Sequence, residues 1–260
     1  MNKLVTAAQM RKCDKEAEHA QQISELVLIE RAAGALAGVF FDVRKSKTDS
    51  VAVLCGGGSN GADGAACALL LNSRGVPCDV FYVYDRLSES GAHFRDKLHT
   101  ANIATYENPD RFDFTSYGTI IDALFGTGLT RVLEGRYADA VAAVNGSGAF
   151  VLSADMPSGL CADTPFPESA PIVQADVTVT FAAYKAAQLF WGTDACGTLI
   201  LKDVDIPVPC GTEVWDSAAC LVPYFPKRKK ISHKGSYGKL CLFAGSMPYF
   251  GAAQIGRAHV

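Results

Sequence analysis

Val51-Ala52-Val53-Leu54-Cys55-Gly56-Gly57-Gly58-Ser59-Asn60-Gly61-Ala62-Asp63-Gly64 is an apolar strand that runs into a glycine turn and then into a helix carrying Asn60 and Asp63. Elements in that order make an anion cradle. Glycine lets the backbone reach positive φ and approach a ligand, and the unpaired N–H groups of a helix start favour a phosphate. Five glycines fall in the nine positions Gly56–Gly64, a density that packing alone does not readily explain. The plainer alternative is a tight strand-to-helix turn without a ligand. Asn60 and Asp63 weigh against it.

Working outward, two helices are expected before this stretch: Thr6 to Ala20, capped by Thr6, and Ser24 to Val43, capped by Ser24. After it the pattern alternates. A helix over Gly64–Arg74, a strand over Asp79–Tyr84, a helix over Ser88–Thr100 and a strand over Thr119–Asp122 lead to a helix near Tyr137–Asn145. Strands at Phe150–Ala154, Val177–Phe181 and Thr198–Leu201 follow. Strands that are nearly all apolar belong to a parallel sheet covered on both faces, and right-handed crossovers make it doubly wound. The expected fold is therefore α/β, a Rossmann-like three-layer α/β/α sandwich with a mostly parallel, doubly wound sheet. Ligands in such sheets collect at the carboxyl ends of the strands.

With 260 residues, 49% of them hydrophobic and 20% charged, the chain can bury one large core, with or without a small appendage. The net charge of −3 leaves no basic footprint for nucleic acid. Lys227-Arg228-Lys229-Lys230 follows Pro223 and Pro226 and reads as a solvated linker. The nine cysteines are scattered and include no C-x-x-C pair, so most are expected reduced, with Cys55, Cys67 and Cys241 in the core. Neither a signal peptide nor a membrane span is expected, and the cytoplasm is the default location. His93 and His99 lie on one amphipathic helix without metal spacing and read as surface residues. Proline and glycine density over Pro207–Pro226 marks a boundary; the strand Lys239–Ala244 beyond it opens a turn with little behind it and looks truncated. Ile255 to Val260 resembles read-through of a sequencing adaptor.

Three strand ends carry the chemistry: Ser59 to Asp63 after the first, Asp122 to Leu129 after another, and Ser153-Ala154-Asp155-Met156-Pro157-Ser158-Gly159 after a third. Asn60, Asp122 and Ser158 supply an amide, a carboxylate and a hydroxyl, a hard-oxygen set of low charge that suits a monovalent cation better than Ca²⁺ or Mg²⁺. Gly126-Thr127-Gly128 offers a second set of backbone donors for phosphate. Asp155, fixed just before Pro157, is a candidate general acid or base; the alternative is a cap or a buried structural hydrogen bond. Lys185, four residues past the strand end at Phe181, reaches the same cleft as a cation, or else is simply solvated.

These residues resemble the NAD(P)H-hydrate epimerases, the YjeF N-terminal domain family. Leu28-Ile29-Glu30-Arg31-Ala32-Ala33, Cys55 to Gly64, Asp122 to Arg131, Asp155-Met156-Pro157-Ser158-Gly159, and Thr178-Val179-Thr180-Phe181 with Lys185 are similar to its motifs, in order. The resemblance implies a potassium ion on Asn60, Asp122 and Ser158. It also implies a nucleotide contacted by Ser59, Asn60, Gly61, Ala62 and Asp63, by Gly126, Thr127, Gly128, Leu129, Thr130, Arg131 and Val132, and by Asp155. Asp155 becomes the favoured catalytic acid or base, with Lys185 beside it, and a homodimer is the family habit. Two positions depart from the pattern: Ser59 stands in place of a second Asn, and Ala62 in place of a Gly. The implied domain spans residues 1–222. Over 223–260, Ser232-His233-Lys234-Gly235-Ser236-Tyr237-Gly238-Lys239 resembles the opening of the ADP- or ATP-dependent NAD(P)H-hydrate dehydratase domain, with too little of it for dehydratase activity. The implied reaction interconverts the R and S forms of hydrated NADH or NADPH; the rival is a nucleotide-binding or scaffold module on the same fold.

Overall fold

A computed structural model describes residues 2–44 and 50–214. The chain divides into two compact units, Met1–Val214 and Trp215–Val260. All described residues belong to the first unit. The expected change of domain at 222, the basic cluster at 227–230, the strand at 239–244 with Cys241, and the dehydratase-like segment lie outside them.

The elements run β1 (Asn2–Val5), α1 (Ala7–Gln21), α2 (Glu25–Val43), β2 (Val51–Cys55), α3 (Ser59–Ser73), β3 (Cys78–Tyr82), α4 (Glu89–Thr100), β4 (Ala104–Glu107) and β5 (Thr119–Ala123). Then come α5 (Arg136–Gly146), β6 (Phe150–Ala154), β7 (Val177–Phe181), β8 (Tyr184–Lys185), α6 (Ala186–Leu189), α7 (Thr193–Cys196), β9 (Thr198–Lys202) and β10 (Thr212–Val214). Seven strands form one sheet in the order β4-β3-β2-β5-β6-β7-β9. Every pairing in it is parallel. One face is covered by apolar side chains of α2, α3 and α4, the other by Phe114, Leu129 and the buried face of α5. This is the expected doubly wound three-layer sandwich.

The chain leaves β2 toward β3 and β4, then crosses back to β5 on the other side of β2. Strand order reverses there, and the loops after β2 and β5 diverge to open a crevice. β1, β8 and β10 form a separate small sheet that the sequence pattern did not predict, because its strands are only two to four residues long. β4 was missed too; its side chains are mostly exposed, so it lacks the apolar run that marks the inner strands.

Both N-terminal helices begin where expected. Thr6 caps α1 in a reciprocal box with Gln9, whereas the Ser24 side chain makes no capping bond although it stands at the start of α2. α1 is placed by a distant contact, the Ala7 N–H donating to Asp163 at 3.0 Å. That bond hangs α1 over the carboxyl end of the sheet.

Candidate functional site

The helix after the glycine turn carries Asn60 and Asp63, as expected, and begins at Ser59, five residues before the Gly64 boundary drawn from the pattern. None of Gly56, Gly57, Gly58, Gly61 or Gly64 has positive φ. Packing accounts for most of them: a Cβ would lie 1.9 Å from the Leu124 carbonyl oxygen at Gly56 and 2.1 Å from that of Arg86 at Gly57. At Gly61 it would lie 1.9 Å from the Gly56 carbonyl oxygen, and at Gly64 2.5 Å from the Ala123 Cβ. Only Gly58, the residue before the helix, faces open space. The run of glycines brings α3 hard against β2 and β5, and the helix start reaches the crevice as a result.

That crevice is a cavity of about 410 Å³ lined by Ser59, Asn60 and Asp63 from α3, Gly126 to Leu129 after β5, Asp155 after β6, and Lys185 in β8. Phe125, Phe181, Leu28 and Ile29 supply apolar wall. Gly61 and Ala62 do not line it; Ala62 is fully buried in the core beneath. Thr130 and Arg131 are exposed, and with Val132 they lie beyond the cavity wall. The three strand ends therefore converge as expected, through part of each segment.

Asp155 is the best-fixed group in the cavity. Its backbone sits at φ 62°, a conformation that side chains other than glycine rarely hold without support, and Ala182 nearby sits at φ 59°. The support is visible. The Asp155 N–H donates to the Val179 carbonyl at 2.7 Å, and the Asp155 carbonyl accepts from Gln188 Nε2 at 2.7 Å. Asp155 Oδ1 accepts from Lys185 Nζ at 2.5 Å, while Oδ2 has a longer bond from the Thr127 N–H at 3.3 Å. Lys185 is 1% exposed and also donates to the Thr180 hydroxyl at 2.8 Å and the Phe181 carbonyl at 3.3 Å. The solvated-lysine alternative is thus excluded. A buried ion pair of this kind needs every remaining donor satisfied, and Thr180 and Phe181 do so.

Asp122 and Ser158 form a second, fully buried corner. Asp122 Oδ1 accepts from the Ser158 hydroxyl at 2.5 Å and the Leu124 N–H at 3.3 Å; Oδ2 accepts from the Ser153 hydroxyl and the Ser158 N–H, both at 2.8 Å. Burial nevertheless holds the Asp122 carboxyl above its ordinary pKa, with those four bonds pulling the other way. Ser158 Oγ in turn accepts from the Phe125 N–H at 2.9 Å, which carries the chain to Gly126. At Gly126 a Cβ would meet Asp155 Oδ2 at 3.0 Å and Asn60 Oδ1 at 3.2 Å, so those two side chains face each other across a glycine that leaves them room.

Asn60 carries the clearest sign of a missing partner. Its Oδ1 and Nδ2 are both buried without a hydrogen bond. Buried amides are almost always satisfied, so this one awaits a ligand atom, a cation or water. Ser59 at the rim instead donates to Glu25 Oε1 at 2.7 Å.

Four charged lining residues were not foreseen: Arg11, Asp14 and Glu18 on α1, and Glu25 at the start of α2. Burial, then the neighbouring Asp155 carboxylate, pushes the Asp14 carboxyl up to about 6. The same two causes, in the same order, raise Asp63 well above the carboxylate range. Their spacing along a helix of mixed charge reads as a solvated face, so nothing in the sequence marked them. Among the described residues no cluster of three or more His, Cys, Asp or Glu side chains is arranged to hold a metal ion. No helix among them is long and apolar enough to cross a membrane.

The family model for the YjeF-related protein N-terminus matches residues 25–187, which include every strand end described above. The chain belongs to that family. It is 34% identical to a bifunctional NAD(P)H-hydrate repair enzyme Nnr of Thermofilum pendens over 96% of this chain, and spans about half (49%) of that relative's length. It is 35% identical to an NAD(P)H-hydrate epimerase of Limosilactobacillus reuteri, over 71% of this chain and 86% of the relative. The crystal structure of yeast ynu0 has the same fold, with a TM-score of 0.66 at 19% identity, covering 83% of this chain and 97% of that one.

Proposed function

We propose that this family member is an NAD(P)H-hydrate epimerase, interconverting the R and S forms of hydrated NADH and NADPH. The observation that carries the reading is the Asp155–Lys185 pair, one oxygen locked and the other aimed into a nucleotide-sized cavity. A relative named NAD(P)H-hydrate epimerase matches 71% of the chain, and one named a bifunctional NAD(P)H-hydrate repair enzyme matches 96% of it, which supports the reading.

The hydrated nicotinamide bears a hydroxyl on the ring carbon beside nitrogen. Loss of that hydroxyl needs a proton on the oxygen and an electron pair from the nitrogen, and leaves a flat iminium. The resting pair is ionised, so a proton taken up from water with the substrate rests on Asp155 Oδ2; it goes to the departing ring oxygen, which leaves as water, and Oδ2 takes a proton back when water adds to either face. Lys185 Nζ stabilises the carboxylate formed between those events by its charge on Oδ1. Asp14 and Asp63 line the same cavity, and a cationic ring beside them draws their raised carboxyl groups toward ionisation, which offsets its charge. Positioned proton transfer of this kind contributes roughly 10²–10⁴-fold.

The orphaned amide of Asn60 fits a monovalent cation, with Asp122 and Ser158 completing an oxygen set of low charge. Potassium held there would fix the loops after β2 and β5 and supply charge near the diphosphate. The backbone N–H groups of Gly126 and Gly128 and the uncapped start of α3 take the phosphates.

Incubating one purified NADHX epimer with the protein, in potassium and in potassium-free buffer, and separating both epimers by chromatography tests the reading. Rapid approach to an epimer mixture, slowed without potassium, is expected. An unchanged epimer beside measurable nucleotide binding would replace the enzyme with a binding module.

A further inference from the structure

Cys13 and Cys210 lie 197 residues apart in sequence and bring their Sγ atoms to 3.6 Å as free thiols. Cys13 is buried on α1, and Cys210 is half-buried at the end of the segment that returns from β9. They belong to a small apolar cluster with Val5, Met10 and Ala183, against which Ile206 and Val208 pack. The return segment is anchored independently: Gln21 Nε2 donates to the Asp205 carbonyl at 2.6 Å, and at Gly211, with φ 91°, a Cβ would lie 2.5 Å from the Leu4 carbonyl oxygen. Both sulfurs are therefore held in place by contacts other than their own.

Each of the two segments is also a wall of the cavity. α1 contributes Met10, Arg11 and Asp14, and the return segment contributes Val204 and Ile206. We propose that Cys13 and Cys210 are a site of reversible oxidation by peroxide, and that the disulfide they form ties these two walls together. A disulfide needs the sulfurs at about 2.05 Å, so each moves by ~0.8 Å, within the reach of small side-chain rotations. Among the described residues no third His, Cys, Asp or Glu side chain joins the pair, which separates it from a metal site.

The chemistry balances. The Cys210 sulfur, the more accessible of the two, attacks one peroxide oxygen; the O–O bond breaks, hydroxide leaves and is protonated to water, and Cys210 becomes a sulfenic acid. Cys13 sulfur then attacks the Cys210 sulfur, the S–O bond breaks and a second water leaves. Two thiols have lost two electrons and two protons to one peroxide. Burial, and then the contact with Cys210, pushes the Cys13 thiol up to about 12, which makes it the slow, resolving sulfur. A dithiol reductant reverses the link.

The full chain is treated with hydrogen peroxide, quenched by alkylation, digested and mapped by mass. A peptide pair joining Cys13 to Cys210, lost on reduction and absent from Cys210→Ser, is expected. Closing so long a loop should raise the Tm of the oxidised protein by at least about 3 °C, with no rise in Cys210→Ser. Cys13 recovered as a free alkylated thiol while Cys210 alone is oxidised would overturn the site, and a link that lowers Tm would overturn the claim that the sulfurs are poised for it. Neither readout depends on epimerase activity, so this inference and the proposed function fail separately.

Discussion

Two walls of one cavity treat their carboxylates in opposite ways. On the β6–β8 side, Asp155 has an ammonium at 2.5 Å, a left-handed backbone and hydrogen bonds on both its main-chain polar groups. On the α1–α3 side, Asp14 and Asp63 face that same carboxylate and are pushed upward by burial and by its charge. The first wall fixes an ionised group at one point. The second holds its carboxyl groups toward the protonated, neutral form, so that a cation arriving with the ligand draws them into ionisation.

The largest expected effect comes from breaking the fixed wall. Asp155→Asn should lower epimer interconversion by about 10²–10⁴-fold, measured from initial rates. Lys185→Met, which leaves the Asp155 carboxylate without its cation, should lose about 3–5 kcal/mol in urea unfolding. Combining Lys185→Met with Asp155→Asn restores most of that stability and none of the turnover. A double variant as unstable as Lys185→Met alone would show that the pair is not what holds this wall together.

Next in size is the glycine turn that supports both walls. Gly61→Ala places a methyl 1.9 Å from the Gly56 carbonyl oxygen and should cost about 1–3 kcal/mol, whereas Gly58→Ala meets open space and should stay within about 1 kcal/mol. Denaturant midpoints of the two variants make the comparison. Equal losses would mean that the glycines serve the ligand more than the packing.

The smallest effect concerns the second wall. Asp14 binds a proton in the fold at a pH where the unfolded chain, with an ordinary carboxylate, has released it. Its favourable contribution is complete below about pH 4 and is lost as pH rises through about 6. Asp14→Asn does not titrate, so its Tm relative to the unsubstituted protein should rise by a few degrees between pH 4 and pH 7. A flat difference would show that neither burial nor the Asp155 carboxylate raises Asp14.

The contrast also explains what the sequence revealed. The inner strands β2, β5, β6 and β7 are buried almost throughout and largely apolar, and Asn60, Asp122, Asp155 and Ser158 sit at or just past their carboxyl ends, so the sheet and the convergence of its loops were legible. Lys185 was legible as a candidate, but its burial depends on β8 pairing with β1, two short strands with no periodic signal. The glycines were read for the wrong reason: their density pointed to a ligand turn, while four of the five are required by close backbone or side-chain approach. Asp14 and Glu18 were invisible because Asp163, 156 residues from Ala7, decides which face of α1 meets the cavity. Long-range placement of that kind leaves no local pattern.

The most direct test of the Asp155–Lys185 account follows oxygen. One pure NADHX epimer is turned over in H₂¹⁸O by the unsubstituted protein and by Asp155→Asn, and the ring hydroxyl is analysed by mass. The account predicts that the opposite epimer forms carrying solvent ¹⁸O, and that label and inversion fall together in Asp155→Asn. Inversion without label, or undiminished inversion in Asp155→Asn, would contradict it.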